Sequence, residues 1–143
     1  MDYRKLQIAD HEELLLLWQN CDGISLRDAD SRPGMQRYLE RNPGLSFVAE
    51  ADGRIVASLM AGHDGRRGYI QHLAVDREQR KQGIAGRLLE LCLQALLDQG
   101  IAKSHVHVLN SNYLGRDFWS RRGWIHRDEI EMYSFINGDN ANT

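Results

Sequence analysis

The hydrophobic pattern of the chain changes its period after residue 75, and this change limits the folds open to it. Three runs of strand-forming residues precede the change, with a short turn after each of the first two: 45–50, 55–61 and 69–75. The Asp52-Gly53 turn is a strong hairpin signal, because the favoured two-residue turns need a positive φ at their central residues. From Ile84 to Leu96 apolar residues recur at helical spacing, and Gly100 supplies a stop. An antiparallel meander followed by a long amphipathic helix is therefore expected.

Shorter elements flank this unit on both sides. They are, in chain order, a strand at 3–8, a helix that Asp10 opens, a short helix at 35–39, a strand at 104–109, a short helix through 118–119 and a strand at 130–136. No internal repeat, low-complexity segment or shift in composition marks a second domain. Residues 1–136 are therefore predicted to form a single α/β (α+β) domain, and residues 137–143 a frayed tail.

The composition excludes several classes of protein. The 143 residues include 18 Lys and Arg against 20 Asp and Glu, a formal net charge of −2, so no excess of positive charge points to nucleic acid. The apolar run Leu14–Trp18 is far shorter than the roughly 20 residues of a membrane span, and the N-terminus shows no export signal. Cys21 and Cys92 form no C-x-x-C pair and are expected to be reduced thiols. A cytoplasmic location is expected, with no nucleic acid or membrane partner.

The most informative segment joins the third strand to the long helix. The connecting turn is basic, and small residues at Gly83, Ala85 and Gly86 let a ligand approach the backbone. The unpaired N–H groups of the first helical turn, together with the helix dipole, form a site for an anion such as phosphate. The patterns G-x-x-x-x-G-K-[ST] and G-x-G-x-x-G are both absent, which argues against nucleoside triphosphate and dinucleotide sites.

Two blocks of this sequence resemble those of the GNAT N-acetyltransferase superfamily. Arg80, Gly83 and Ala85 match the family's acetyl-CoA motif, R-x-x-G-x-A, between a Leu-Ala-Val strand and a Leu-Leu helix. The family's second block, N-x-x-A-x-x-x-Y-x-x-x-G-F, is represented at the same spacing by Asn112, Gly115, Trp119, Gly123 and Trp124. The resemblance spans residues 3–135, and the size and the 62–68 turn resemble small single-domain bacterial members of the YpeA type.

The resemblance implies a mixed, mostly antiparallel sheet that splays open at a central parallel strand pair, flanked by about four helices. Acetyl-CoA would lie in the split, as the co-substrate. The main chain of residues 73–75 would pair with the pantetheine arm, N–H groups of residues 81–86 would bind the pyrophosphate, and Asn112 would meet the pantetheine. The cofactor-binding residues that the resemblance implies are Leu73, Ala74, Val75, Arg80, Lys81, Gln82, Gly83, Ile84, Ala85, Gly86, Asn112 and Trp119.

Trp119 stands where the family usually has a tyrosine that protonates the departing CoA thiolate. An indole N–H does not give up its proton near neutral pH, so Trp119 is interpreted as an apolar wall of the CoA tunnel. A thiol with a pKa near the reference value of about 8.5 is already a fair leaving group. Water or Tyr113 could then supply the proton.

The candidates for the general base are Tyr69 and His72, in the strand where family members often keep an acidic residue or a histidine. Alternation along the strand places Tyr69 and Gln71 on one face and His72 on the other, although a bulge would change this. A lysine-like amine is only about 0.1% neutral near pH 7.4, so the acceptor decides how much base is needed. His105 and His107 share a strand face but have no third ligand at useful spacing, so no metal site is predicted.

The predicted function is acetyl transfer from acetyl-CoA to a primary amine, on a small molecule or on a protein or peptide, by direct attack in a ternary complex. Neither cysteine lies in the two motif blocks, so no acyl-enzyme is expected. The acidic loop residues Asp22, Asp28 and Asp30 would suit a cationic acceptor. The alternative function is a non-catalytic module that senses acyl-CoA. The sequence leaves open whether the chain forms a homodimer.

Overall fold

One five-stranded mixed sheet forms the centre of the computed structural model, which describes residues 1–143. Its strands are β1 (Asp2–Lys5), β2 (Phe47–Ala51), β3 (Arg54–His63), β4 (Gly68–Val75) and β5 (Ser104–Val106). They lie in the order β1-β2-β3-β4-β5, and every pair is antiparallel except β4 with β5, which is parallel. The expected mixed, mostly antiparallel sheet is thereby confirmed.

Four α-helices cover the two faces of the sheet. They are α1 (His11–Gln19), α2 (Arg32–Arg41), α3 (Ile84–Asp98) and α4 (Tyr113–Arg121). One buried cluster joins the sheet to α3 and α4 through side chains such as Leu88, Cys92 and Trp119. The other joins the sheet to α1 and α2 through side chains such as Trp18 and Met35. None of these helices has both the length and the apolar composition needed to cross a membrane.

Local sequence signals set two of the element boundaries. Asp52 and Gly53 have φ angles of 52° and 72°, which confirms the expected two-residue hairpin turn between β2 and β3. Ser31 caps the N-terminus of α2, because its side chain accepts a hydrogen bond from the N–H of Gly34. The helix is therefore longer at its N-terminal end than the expected 35–39.

Asp10 precedes α1 as expected but does not cap it. Its carboxylate accepts hydrogen bonds from the Arg4 guanidinium at 2.8 and 2.9 Å, and from the Gln7 N–H at 2.8 Å. A bidentate cation binds a carboxylate more strongly than a neutral helical N–H does, so the expected cap is wrong. Burial alone would raise the pKa of Asp10, but these hydrogen bonds and the charge of Arg4 hold it below its ordinary value.

The expected strand at 130–136 does not form, and β5 is shorter than the expected 104–109. β5 pairs with β4 over three residues only, so its outer edge offers too short a ladder for a further strand. The apolar side chains of the segment are exposed instead, at 55% for Ile130, 69% for Met132, 91% for Tyr133 and 90% for Phe135. The parallel pair β4/β5 therefore closes one edge of the sheet, whereas the resemblance implied a central position for it.

The last residues, expected as a frayed tail, contact the loop between α1 and α2. The side-chain amides of Asn140 and Asn142 donate hydrogen bonds to the Asp28 carboxylate at 2.7 and 2.6 Å. The Asp28 N–H in turn donates to the Asn142 carbonyl at 3.0 Å. Three hydrogen bonds thus join this segment to the α1–α2 loop.

Candidate functional site

A cleft opens where β4 and β5 separate. The two strands pair over residues 68–70 of β4 and 104–106 of β5 and no further. β4 nevertheless continues to Val75, held on its other side by β3. Residues 71–75 therefore have no strand partner on the side that faces β5, and an extended ligand can bind their backbone there as an added strand. The expected opening between the two parallel strands is confirmed.

The segment between β4 and α3 presents free backbone N–H groups. None of the N–H groups of residues 81–86 donates a hydrogen bond within the chain. Lys81 and Gly83 have positive φ angles of 63° and 78°, and this alternation of left-handed with other conformations makes an anion-binding concavity, or nest. The dipole of α3, which is 15 residues long, adds partial positive charge at the same place.

Space and charge around this segment also suit an anion. A Cβ atom built on Gly83 would meet nothing within 4 Å, and one built on Gly86 would lie 3.2 Å from the Arg122 guanidinium. The cations Arg80 and Lys81 belong to the segment, and Arg87, which pairs with Glu90, lies in the first turn of α3. Nε of Arg80 donates to the Val75 carbonyl at 3.1 Å, which places that cation at the junction of cleft and nest. The phosphate site at 81–86 stays a prediction, now supported by free donors and positive charge.

β4 contains a bulge at His72, next to the point where the cleft begins. The register of β3 against β4 shifts between Ser58 and Met60, and His72 has a φ of 51°, which is uncommon for a residue with a side chain. The Ser58 hydroxyl donates to the His72 carbonyl at 3.2 Å and accepts the Trp18 indole N–H at 2.9 Å. Hydrogen bonds from β3 and α1 thus hold the bulge in place.

The bulge changes the face of the sheet on which His72 lies. Ile70 packs in the cluster with α3, whereas Ala74 packs in the cluster with α1 and α2. Strict alternation would place these two residues on one face, so the bulge has reversed the pattern between them. Gln71 lines a cavity on the α1–α2 face and the His72 ring packs against α1. The prediction from simple alternation, which placed His72 on the opposite face from Tyr69 and Gln71, is therefore wrong. The bulge that the sequence analysis allowed for is confirmed.

His72 is hydrogen bonded to Asp30 in the loop between α1 and α2. Its Nε2 lies 2.6 Å from Oδ1 of Asp30, and the two side chains are only 17% and 15% exposed. A carboxylate can only accept, so Nε2 carries a proton, and Nδ1 has a free lone pair when the ring is neutral. Burial alone would raise the pKa of Asp30, but hydrogen bonds from His72 and the Arg27 N–H lower it. Asp30 is therefore ionised at neutral pH and orients the imidazole.

A cavity of about 490 Å³ adjoins this pair on the α1–α2 side of the sheet. Its volume lies in the range that small-molecule sites occupy. Asp30 and Gln71 line the cavity beside His72, and Met35 and Met60 provide apolar surface. A small acceptor bound in this cavity would therefore lie against Asp30, the hydrogen-bond partner of His72.

The three acidic residues expected near an acceptor have different positions. Asp28 and Asp30 line the cavity. Asp22 does not, because its side chain is 90% exposed and lies 3.4 Å from Arg77. Only part of the expected acidic loop therefore belongs to the site.

Two residues of the second sequence block have structural roles. Trp119 is 7% exposed, and its ring lies 5.0 Å from that of Phe118 and 4.5 Å from that of Trp124, centroid to centroid. The Asn112 side chain accepts the N–H of Gly115 and so caps α4. Their contacts with a cofactor stay predictions.

The two base candidates differ in their surroundings. Tyr69 contacts the ring of His105, with centroids 5.8 Å apart. Only His72 is hydrogen bonded to a carboxylate. No group of three or more His, Cys, Asp or Glu side chains is arranged to hold a metal ion. Of the two candidates, His72 is therefore the one whose ring is oriented by a carboxylate.

The pairing of His72 with Asp30 is the feature that sequence reasoning missed. The two residues are 42 positions apart, one in a strand and the other in a loop, so no spacing pattern joins them. The signal available was the acidic loop itself, which suits a cationic acceptor but does not indicate which residue contacts its carboxylates.

Comparison with known proteins agrees with this geometry. Residues 11–124 match the model of the Acetyltransferase (GNAT) family. A predicted acetyltransferase from Clostridium acetobutylicum, solved with acetyl-CoA, is 20% identical, with a TM-score of 0.74 over 93% of this chain and 95% of that chain. The PaiA N-acetyltransferase from Thermoplasma acidophilum, solved with coenzyme A, is 19% identical, with a TM-score of 0.73 over 85% and 87%. The aminoglycoside 6'-N-acetyltransferase AAC(6')-IG from Acinetobacter haemolyticus is 16% identical, with a TM-score of 0.73 over 98% and 100%. At these identities the structural similarity shows a shared fold.

Proposed function

Since the chain belongs to the GNAT acetyltransferase family, we propose that it transfers the acetyl group of acetyl-CoA to a primary amine by direct attack in a ternary complex. The family match covers the cleft, the nest at 81–86 and the His72–Asp30 pair. One observation carries the proposal: the bulge in β4 brings a histidine and its carboxylate partner to the place where β4 leaves β5.

The residues around the cleft fit coenzyme A. When bound, acetyl-CoA supplies the acetyl group as a thioester at one end and a pyrophosphate at the other. The free N–H groups of residues 81–86 would hold the pyrophosphate, since Gly83 leaves open space above them. The unpaired backbone of residues 73–75 would bind the pantetheine arm as a strand binds its neighbour.

His72 is the proposed general base. An ammonium ion cannot attack a thioester, so the acceptor must lose a proton before or during attack. Because Nε2–H donates to Asp30, Nδ1 is the atom that accepts this proton, directly or through a water molecule. The imidazolium that results lies 2.6 Å from the Asp30 carboxylate, which stabilises its charge.

The departing thiolate needs only a weak acid. A thiol with a pKa near 8.5 leaves readily at neutral pH, so its protonation need not limit the rate. Trp119 would form an apolar wall of the tunnel, since its indole cannot supply a proton. Water, or Tyr113 at the first turn of α4 with 73% of its surface exposed, would supply it.

The two buried thiols favour direct transfer over an acyl-enzyme. Burial raises the pKa of Cys92 to about 12, because this side chain of α3 is fully enclosed in the core. Burial also raises the pKa of Cys21. A nucleophilic cysteine needs a lowered pKa, because the thiolate is the reactive form. Both residues are therefore assigned to the core.

Calorimetry with acetyl-CoA tests the cofactor site. Gly83→Glu places a carboxylate where phosphate is proposed to bind, so it should abolish measurable binding. Gly53→Glu is the matched control, because Gly53 also has a positive φ, of 72°, and open space around its Cβ position, but lies in the β2–β3 turn. Equal affinity in the wild type and in Gly83→Glu would show that the site is misplaced.

Thiol release in the presence of a panel of primary amines tests the reaction, with the acetylated amine identified by mass spectrometry. The proposal predicts thiol release that depends on the amine. If acetyl-CoA binds but no amine increases thiol release, the protein is better described as an acyl-CoA sensor. Trp119 in the position of the usual acid is the observation that favours this alternative.

A further inference from the structure

The cavity beside His72 is lined by two arginines that have no partner in the chain. Arg37 and Arg41 both lie on its wall, and neither makes a side-chain hydrogen bond or an ion pair. Five other arginines do form ion pairs with acids: Arg4, Arg77, Arg87, Arg121 and Arg127. Asp28, Asp30 and Thr143 also line the cavity, but neither arginine forms an ion pair with any of them.

The position of the two arginines on α2 makes them repel each other. They are four residues apart, so they lie on the same face of the helix, where like charges are destabilising. The single acid of α2, Glu40, is hydrogen bonded to Gln36 and not to either arginine. An anion bound between the two guanidinium groups would offset this repulsion.

The acidic residues of the cavity have hydrogen-bond partners other than the two arginines. The Asp28 carboxylate is bound by the side chains of Asn140 and Asn142, and the Asp30 carboxylate by His72. The cavity thus has Asp30, the partner of His72, in its lining and two arginines without an ion pair on its helical wall. Tyr38, on the same wall, has a buried hydroxyl without a hydrogen-bond partner, which is rare in folded proteins.

We infer that the acceptor is a primary amine that also carries an oxyanion, a carboxylate or a phosphate. The amine would lie against His72 and Asp30, and the oxyanion would bind Arg37 and Arg41. Guanidinium groups match the geometry of both oxyanions, and such charge-assisted bonds are the strong ones. This inference rests on the proposed acetyl transfer and narrows its substrate class.

Matched amines that differ only in the oxyanion test the inference. The pairs are 6-aminohexanoate with hexylamine, L-methionine with 3-(methylthio)propylamine, and phosphoethanolamine with ethanolamine. The oxyanion member of at least one pair should have a kcat/KM roughly tenfold or more above that of the member without the oxyanion, because hydrogen bonds between charged groups are the strong ones. The pair with the larger ratio distinguishes a carboxylate from a phosphate. If the member without the oxyanion is used as well or better in all three pairs, the inference is wrong.

Substitution of the two arginines tests whether they cause the preference for amines with an oxyanion. In Arg37→Gln/Arg41→Gln the ratio within the preferred pair should fall to about one, through a loss of kcat/KM for the oxyanion member. Arg54→Gln is the control, because Arg54 is exposed at the start of β3, away from the cavity, and should keep the wild-type ratio. A ratio unchanged in the double variant would overturn the assignment to these arginines.

Binding measured without turnover separates this inference from the proposed function. Calorimetry follows 6-aminohexanoate and hexylamine, and phosphoethanolamine and ethanolamine, added to protein saturated with coenzyme A. One outcome is that no amine is acetylated, but an oxyanion member binds more tightly than its partner in the wild type and not in the double variant. In that case the proposed acetyl transfer is wrong and the oxyanion site is supported. If amines are acetylated without any preference, the oxyanion site is wrong and acetyl transfer stands. If there is neither turnover nor preferential binding, both are wrong.

Discussion

Replacing Asp30 with asparagine removes the charge beside His72 while keeping the size of the side chain. In the wild type the two side chains are 2.6 Å apart and less than one fifth exposed, so solvent screens their interaction little. A hydrogen bond to a charged group contributes roughly 1.5–3 kcal/mol, and about 1.4 kcal/mol corresponds to tenfold in rate. Asp30→Asn should therefore lower kcat by about 10- to 100-fold.

Steady-state thiol release at saturating acetyl-CoA and amine measures this effect. The affinity for acetyl-CoA, measured by calorimetry, should not change, because Asp30 lies on the α1–α2 side and not in the nest at 81–86. Asp22→Asn is the matched control, since Asp22 belongs to the same loop but points to solvent. A kcat within twofold of the wild type in Asp30→Asn would refute the role assigned to the carboxylate.

Three further results are expected. Alanine at both Cys21 and Cys92 should leave kcat within about twofold of the wild type in thiol release, and a loss above tenfold would contradict direct transfer. Trp119→Tyr should change kcat little. Trp119→Ala should lower the free energy of unfolding, measured by urea titration, by roughly 3–5 kcal/mol, because it leaves a cavity at a buried site. A smaller loss would mean that Trp119 is not a packing residue. Asp10, whose pKa is lowered by folding, stabilises the protein above the ordinary value of 3.8, and this stability should be lost as the pH falls through the lower folded value. Asp10→Asn should flatten that acid dependence, and an unchanged slope would refute the assignment.

Features that depend on neighbouring residues could be predicted from the sequence. The Asp52-Gly53 turn follows from the conformational needs of two adjacent residues, and it forms as expected. The long helix α3 follows from the spacing of its apolar residues, and it begins at Ile84 directly after Gly83. The free N–H groups at its start are a consequence of helix geometry, so the candidate anion site could be placed before the fold was known.

Features that depend on contacts between distant residues could not be predicted in this way. The bulge at His72 arises where β3 and β4 lose register, and its contact with Asp30 joins residues 42 positions apart. The strand expected at 130–136 fails for a related reason, because its apolar pattern is present but β5 is too short to pair with it. The sequence of a segment reveals its propensity for a strand or a helix, but not which distant residues will pair with it.

The rate of acetyl transfer in His72→Asn tests the central claim most directly. Asparagine tolerates the positive φ of 51° at this position but cannot act as a base, so the bulge is kept while the chemistry is removed. Single-turnover thiol release at saturating acetyl-CoA and amine should slow by about 100-fold or more, the usual contribution of a positioned general base. The affinity for acetyl-CoA should be unchanged, and the exposed control His126→Asn should react at the wild-type rate. A rate in His72→Asn within twofold of the wild type would contradict the claim that the β4 bulge holds the base of the reaction.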